Sequence, residues 1–331
     1  MKALIYTAPN EMTLMDAPRP ALVDGEVVLR VDAVGICGSD MHAFHGHDPR
    51  RKPGLILGHE LAGTIVEGPG AGRRVTANPL ITCGTCDCCV QGRNNLCSHR
   101  AMVGMTRPGA FAEYMAIPIA SLIDIPQDMD ARVAALTEPA ATAWHAIHLA
   151  ARSLVRPLAE AEVLVIGGGA IGLLSALLLG HWGVRVTLVE RNPLRRASAA
   201  THAGCRTLDP SVGSGGAKEN AYPFVIDAVG AKITRDSALA AVQPGGVVLH
   251  IGLQDWASEI DMRKLTLAEI TLVGTYTYTT ADLRGTVAAL HGGSFGDLGW
   301  VEERALDDGA GAFQDLDRGR SAAAKIVLRP H

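Results

Sequence analysis

The chain has 331 residues, 48% of them apolar and 19% charged. This excludes a disulfide-stapled miniprotein and a disordered chain and, at ~150 residues per domain, suits two domains. Thirty Lys and Arg against 34 Asp and Glu give a net charge of −4, and without a long run of one sign no nucleic-acid or membrane partner is expected, only small molecules. Residues 1–6 reach Pro9 before an apolar h-region forms, so no signal peptide is expected, the cytoplasm is the expected compartment, and reduced cysteines follow.

Residues 1 to about 130 carry short β-like runs broken by Gly and Pro, at 2–6, 26–34, 63–66, 74–77 and 111–117, and read as mainly β. Residues 130–151 turn Ala-rich and helical. After Pro157, apolar strands at 163–166, 185–189, 206–209, 224–227, 247–251 and 270–273 alternate with helical stretches such as 194–203 and 234–242. That alternation predicts a doubly wound α/β domain with a parallel sheet and right-handed crossovers. Residues 212–217 read as a Gly/Ser surface loop, and 322–328, Ala-rich then β, are expected to return to the first domain. The 18 residues 163–180 carry no charge, the length of a minimal membrane span. The cluster Gly167, Gly168, Gly169 and Gly172 inside them fits a buried strand, a tight turn and a buried helix better.

Gly167-Gly168-Gly169-Ala170-Ile171-Gly172 satisfies Gly-x-Gly-x-x-Gly directly after a strand and at a helix start. There the glycines allow the tight turn, the approach of a pyrophosphate and close helix–strand packing. Glu190 ends the next strand, 18 residues past Gly172, where a carboxylate can accept both ribose hydroxyls of NAD. The plain alternative is a packing turn with a solvated Glu190. Arg191, Arg195 and Arg196 follow at once; Arg191 competes for the 2′ position, whereas Arg195 falls within the expected helix.

Cys83, Cys86, Cys89 and Cys97 stand as Cys-x2-Cys-x2-Cys-x7-Cys. Four thiolates at this spacing can close a tetrahedral, structural Zn²⁺ site, with Cys88 a spectator; the rival is a redox Cys-x-x-Cys pair. Cys37, His59, Glu60 and Glu138 form a dispersed second set of S, N and O donors of the kind an open catalytic zinc uses. Each alone reads as core packing.

In this order the motifs Gly-Ile-Cys-Gly-Ser-Asp, Gly-His-Glu, the cysteine lobe, Glu-Pro and Gly-x-Gly-x-x-Gly resemble the zinc-dependent medium-chain alcohol dehydrogenase family, from Met1 to Pro330. The resemblance implies a GroES-like β-rich catalytic domain at 1–145 and 281–331, with a Rossmann doubly wound NAD-binding domain inserted at 146–280. It places the catalytic zinc on Cys37, His59 and Glu138, with Glu60 an alternative ligand or supporting carboxylate. Ser39 and His42 match a proton relay through the cofactor ribose, Thr142 a residue beside the nicotinamide, and Lys325 a basic residue near the pyrophosphate. Gly167, Gly169, Ala170, Ile171, Gly172, Glu190, Arg191 and Arg195 complete the expected cofactor contacts.

Glu-Pro at 138–139 resembles the sorbitol, threonine and polyol dehydrogenases, which implies oxidation of a secondary alcohol or polyol by NAD with two zinc ions per chain, in a homodimer or homotetramer. The rivals are an aldehyde or ketone reductase on the same scaffold, a non-catalytic NAD-binding sensor and a zinc-ribbon interaction module. Phe44, Phe111 and Trp144 are candidates for pocket walls or for ordinary core. The sequence departs from the family in a short 67–75 segment, in Arg73 where Asp is common, and in an abbreviated loop after Asp209.

Overall fold

The computed structural model describes residues 1–211 and 216–331, so most of the expected 212–217 loop lies outside the described residues. Among these residues a seven-stranded sheet is built around the strand Glu26–Gly35. This strand pairs antiparallel with Glu60–Glu67, Tyr114–Pro118 and Lys325–Arg329. Its nearly continuous burial suits a strand covered on both faces. Lys325–Arg329 also pairs with Val301–Ala305, so the end of the chain does return to the first sheet.

The expected strand at 111–117 starts only at Tyr114. The amides of Gly109, Ala110 and Phe111 are instead bonded to the carbonyls of Ile56, Gly58 and Leu57, which folds this segment back over the Gly-His-Glu turn. The helical stretch divides at Leu136 into Ala131–Ala135 and Thr137–Ala151. Pro139 falls in the first turn of the second helix, where a missing N–H has no intrahelical acceptor to lose. Sequence periodicity did not reveal the helix Gly38–Phe44, the strand Glu11–Asp16 or the helix Thr280–His291.

The uncharged stretch resolves into the strand Glu162–Ile166 and the helix Ala170–His181, and among the described residues no helix is long and apolar enough to cross a membrane. Six parallel strands, Glu162–Ile166, Arg185–Val189, Arg206–Leu208, Tyr222–Asp227, Val242–His250 and Thr271–Gly274, lie side by side. Numbered along the chain, their order across the sheet is 3-2-1-4-5-6, the Rossmann order. Helix Thr137–Ala151 packs on Ala170–His181 and on Thr280–His291, placing Glu138 where the two sheets meet through one shared core.

Phe44 and Phe111 are core residues and not pocket walls: they are 3% and 0% exposed and both pack on Phe313, with ring centroids 5.4 and 5.8 Å away. Trp144 faces His148 and Trp182 on a partly buried helix face.

Candidate metal and dinucleotide sites

The turn after Glu26–Gly35 brings Cys37 to the start of helix Gly38–Phe44, and the strand Glu60–Glu67 begins beside it. One ligand atom each from Cys37, His59 and Glu60 lies within 4.8 Å of the others. Gly35 is required here, because an added Cβ would collide with Glu60 Oε2. Asp40 Oδ2 accepts the Cys37 N–H at 3.0 Å, and its Oδ1 lies 3.5 Å from His59 Nδ1. With Nδ1 facing this carboxylate, Nε2 is the ring nitrogen left to reach a metal. Ser39 Oγ lies 3.4 Å from that Nε2.

Glu138 approaches from the first turn of its helix. It is not within the Cys37–His59–Glu60 set, and its Oε1 accepts a hydrogen bond from Tyr278. Burial, with the charge of Glu60 adding to it, pushes Glu138 up to about 7 against the charge of His59. Lys325, expected near the pyrophosphate, lies against Glu60 of this set. It is 2% exposed, and its Nζ donates to Glu60 Oε1 at 2.6 Å and to Ile36 O at 2.7 Å. Burial opposes a charged Lys325 and a charged His59, yet Glu60 and Cys37 hold Lys325 up, and Asp40 and Cys37 hold His59 well up. A buried pocket that favours positive charge on both groups, built from S, N and O donors, fits a divalent cation such as zinc.

The four cysteines of the lobe also converge, their sulfurs within 4.8 Å of one another. The Cys83–Cys97 and Cys83–Cys89 separations of 3.5 and 3.9 Å are too long for disulfides. Backbone amides of Thr85 and then Cys86 hold the Cys83 thiol down to about 5, while burial and then the neighbouring Cys86 push Cys89 up to about 12. Cys88 is outside this set. A tetrahedral structural zinc fits these four residues.

At the glycine turn, Gly167 takes φ +103°, and a Cβ at Gly172 would collide with Gly167 O. Nothing lies within 4 Å of a Cβ built on Gly169, which caps helix Ala170–His181 without a side-chain bond. Ala170 and Ile171 form the first turn of that helix, an open, anion-favouring end. Glu190 Oε2 accepts from Gly168 N and Oε1 from Asn192 N, both at 2.7 Å. Arg191 is exposed. Arg195 lies on helix Pro193–Ala203 with its Nε buried and unpaired, and Arg196 is committed to Glu190 O and Asp209. Thr142 sits one turn after Glu138, its Oγ1 on Glu138 O. His42 is half-buried near His47, with ring centroids 6.5 Å apart.

Sequence reasoning missed Asp40, Tyr278 and the Lys325–Glu60 pair. Only Asp40 left a local signal, three residues after a candidate ligand.

Residues 23–127 match the family described as alcohol dehydrogenase GroES-like domain, and 170–291 that described as zinc-binding dehydrogenase. The chain is 32% identical over 296 residues to an L-galactonate-5-dehydrogenase of Escherichia coli K12, with 85% of each covered. It is 28% identical to an L-threonine 3-dehydrogenase of Mesorhizobium japonicum, over 99% of this chain and 98% of the relative. A dehydrogenase structure from Sinorhizobium meliloti 1021 bound to NADP superposes with a TM-score of 0.87 at 28% identity, covering 99% of both chains.

Proposed function

The chain belongs to the zinc-dependent medium-chain alcohol dehydrogenases, a family of NAD-linked oxidoreductases, and from that premise we propose that it oxidises a secondary hydroxyl of a polyol or sugar acid with NAD. The observation that carries the reading is the convergence of Cys37, His59 and Glu60 within 4.8 Å, with the carboxylate of Glu138 beside them. The relatives named for L-galactonate and L-threonine support a hydroxylated, polar substrate.

In this reading Cys37, His59 and Glu138 hold the catalytic zinc, with Glu60 as alternative ligand, and Cys83, Cys86, Cys89 and Cys97 hold the structural one. When bound, zinc supplies Lewis acidity that eases loss of the substrate's hydroxyl proton, and nicotinamide supplies the hydride acceptor. Asp40 orients His59. Lys325 offsets the charge of Glu60 and so limits repulsion between the two glutamates. Ser39 receives the substrate proton and His42 passes it to solvent. Burial, then the charges of His47 and His45, lowers the His42 pKa, so its imidazole is neutral and able to accept at neutral pH. Gly167, Gly169, Ala170, Ile171 and Gly172 receive the pyrophosphate, Glu190 the adenosine ribose, and Thr142 flanks the nicotinamide.

The division into 1–145 with 281–331 and an inserted 146–280 belongs to the same reading. So does a homo-oligomer: strand Thr271–Gly274 ends the parallel sheet with Leu272 exposed, near exposed Leu253, Trp256 and Leu267 in sequence, an edge that a second copy would cover.

The test is elemental analysis together with NADH formation at 340 nm across a panel of polyols and sugar acids. Two zinc ions per chain and turnover on one class are expected; one zinc or none in carefully prepared protein overturns the assignment.

A further inference from the structure

Arg51 takes no part in the roles above, yet its side chain is only 1% exposed. Its Nε donates to Gly104 O at 2.9 Å, Nη1 to Ser39 O and to Asp48 Oδ2 at 3.0 Å each, and Nη2 to Ser39 Oγ at 3.3 Å. Asp48 is itself 7% exposed and also accepts from Arg50 through Nε and Nη2 at 2.8 and 3.0 Å. One carboxylate therefore serves two guanidiniums, of which Arg50 is largely exposed and Arg51 is buried against Ser39. A buried guanidinium is costly unless its donors are satisfied. Here two of its four bonds go to a single residue, and one of those goes to the side chain.

We propose that Arg51, locked by Asp48, is a positioning residue that fixes Ser39 with its hydroxyl proton turned away from the guanidinium and toward the reaction cleft. The inference rests on the reading of Ser39 as proton carrier. A guanidinium has donors and no acceptor. Arg51 Nη2 therefore occupies one lone pair of Ser39 Oγ, and the Ser39 O–H has to point elsewhere. The bond from Nη1 to Ser39 O pins the backbone at the same time, so neither the hydroxyl nor the residue that carries it is free to swing. The second lone pair stays available to receive the substrate proton as the Ser39 proton departs along the relay through the cofactor ribose to His42. A fixed positive charge beside Oγ also stabilises negative charge that develops there during transfer. Anchoring the loop alone would need bonds to Gly104 O and Ser39 O; the bond to Oγ is the part that a structural role does not require.

The test is a double-variant cycle of Arg51→Gln and Ser39→Ala in the zinc-loaded enzyme, with Arg51→Lys alongside. Arg51→Gln is expected to lower kcat about 10- to 100-fold, a fraction of the ~10²–10⁴-fold worth of acid–base help. KM should stay within about threefold, and zinc content and NADH binding by fluorescence titration should be unchanged. Arg51→Lys, which keeps the charge but cannot reach Ser39 O and Oγ with one planar fork, should recover part of kcat. In the Ser39→Ala background Arg51→Gln should change kcat less than about twofold, because residues acting as one unit are not additive. If Arg51→Gln folds poorly, Arg51→Lys completes the same cycle. Normal kcat in Arg51→Gln beside an impaired Ser39→Ala overturns the proposal, as does a fully additive loss in the double variant. Near-normal turnover in Ser39→Ala overturns the proton-carrier reading itself, and the inference with it.

Discussion

The hydroxyl of Tyr278 donates to Glu138 Oε1 across 140 residues of sequence, in a setting where both groups are buried. Burial raises Glu138 to about 7, and this hydrogen bond is one of the influences pulling it back. A carboxylate ligates metal only when deprotonated, so Tyr278→Phe should move the pH of half-maximal zinc uptake at the catalytic site upward. Titration of zinc-stripped protein from about pH 5.5 to about 8.5, roughly 1.5 units on either side of neutrality, reads the shift; an unchanged midpoint removes Tyr278 from the site. The sign also bears on stability. A carboxyl whose folded pKa lies above its ordinary 4.5 keeps its proton when the unfolded chain has lost it, so zinc-free protein should lose stability as pH rises from 4.5 to about 7.

The loop that carries Tyr278 is held on both sides by the cysteine lobe. Asn94 Nδ2 donates to Thr280 Oγ1 at 3.0 Å, Asn94 Oδ1 accepts from Thr280 N at 3.2 Å, and Asn95 Nδ2 donates to Tyr276 O at 2.8 Å. Asn94 and Asn95 lie between Cys89 and Cys97, so a zinc ion bound by the lobe would steady the clamp as well. Cys97→Ala should lower thermal stability, because metal binding contributes folding free energy, and should speed amide exchange at 275–280. Asn94→Ala should keep both zinc ions, cost about 1 kcal/mol and speed exchange in the same peptide. Exchange at 275–280 that is indifferent to Asn94→Ala would show that the lobe does not hold this loop.

His42 carries a separate pH signature. Burial lowers its pKa, the charges of His47 and His45 lower it further, and Asp48 opposes them. A base with a pKa below 6.5 is already unprotonated at pH 7, so the acid limb of kcat should fall below pH 6.5. His47→Ala and His45→Ala should each move that limb to higher pH by removing repulsion, and His42→Ala should abolish it with a milder loss of kcat than Ser39→Ala. A kcat profile unaffected by His42→Ala excludes histidine from the proton path.

These relationships differ in how far the sequence reveals them. The glycine turn and the four-cysteine lobe are legible because their members lie within a few residues of one another and each spacing has one plain chemical use. Cys37, His59, Glu60 and Glu138 are legible as a donor set by chemistry, but no local pattern ties residue 37 to residue 138, and the choice of ligands among them rests on the ordered family resemblance. The partner of Lys325 lies 265 residues away, brought to it by the last strand entering the sheet beside Glu26–Gly35. Phe44 looked available for a pocket because it follows a motif closely. Helix Gly38–Phe44, which strand-like periodicity did not disclose, turns it onto Phe313. Tyr278 and Arg51 had no signal at all, because each acts through a side chain brought to it by tertiary closure.

Cofactor choice turns on Glu190, which is 8% exposed, with one oxygen on Gly168 N and the other on Asn192 N. These bonds set the carboxylate in place before any ribose arrives, and its remaining lone pairs can accept the 2′- and 3′-hydroxyls of NAD. A 2′-phosphate would meet that fixed negative charge and forfeit those hydroxyl bonds. Of the arginines nearby, Arg196 is held by Glu190 O and Asp209, which leaves exposed Arg191 as the competitor able to meet a phosphate. A structural relative is bound to NADP, so the fold by itself does not select NAD and the local charge decides. The expected preference is for NAD by at least about tenfold in kcat/KM, or ~1.4 kcal/mol. Glu190→Ala should erode it, and Arg191→Ala in that background should then weaken NADP more than NAD. Equal kcat/KM for the two cofactors in the unmodified enzyme would falsify this assignment and make Arg191 the phosphate ligand.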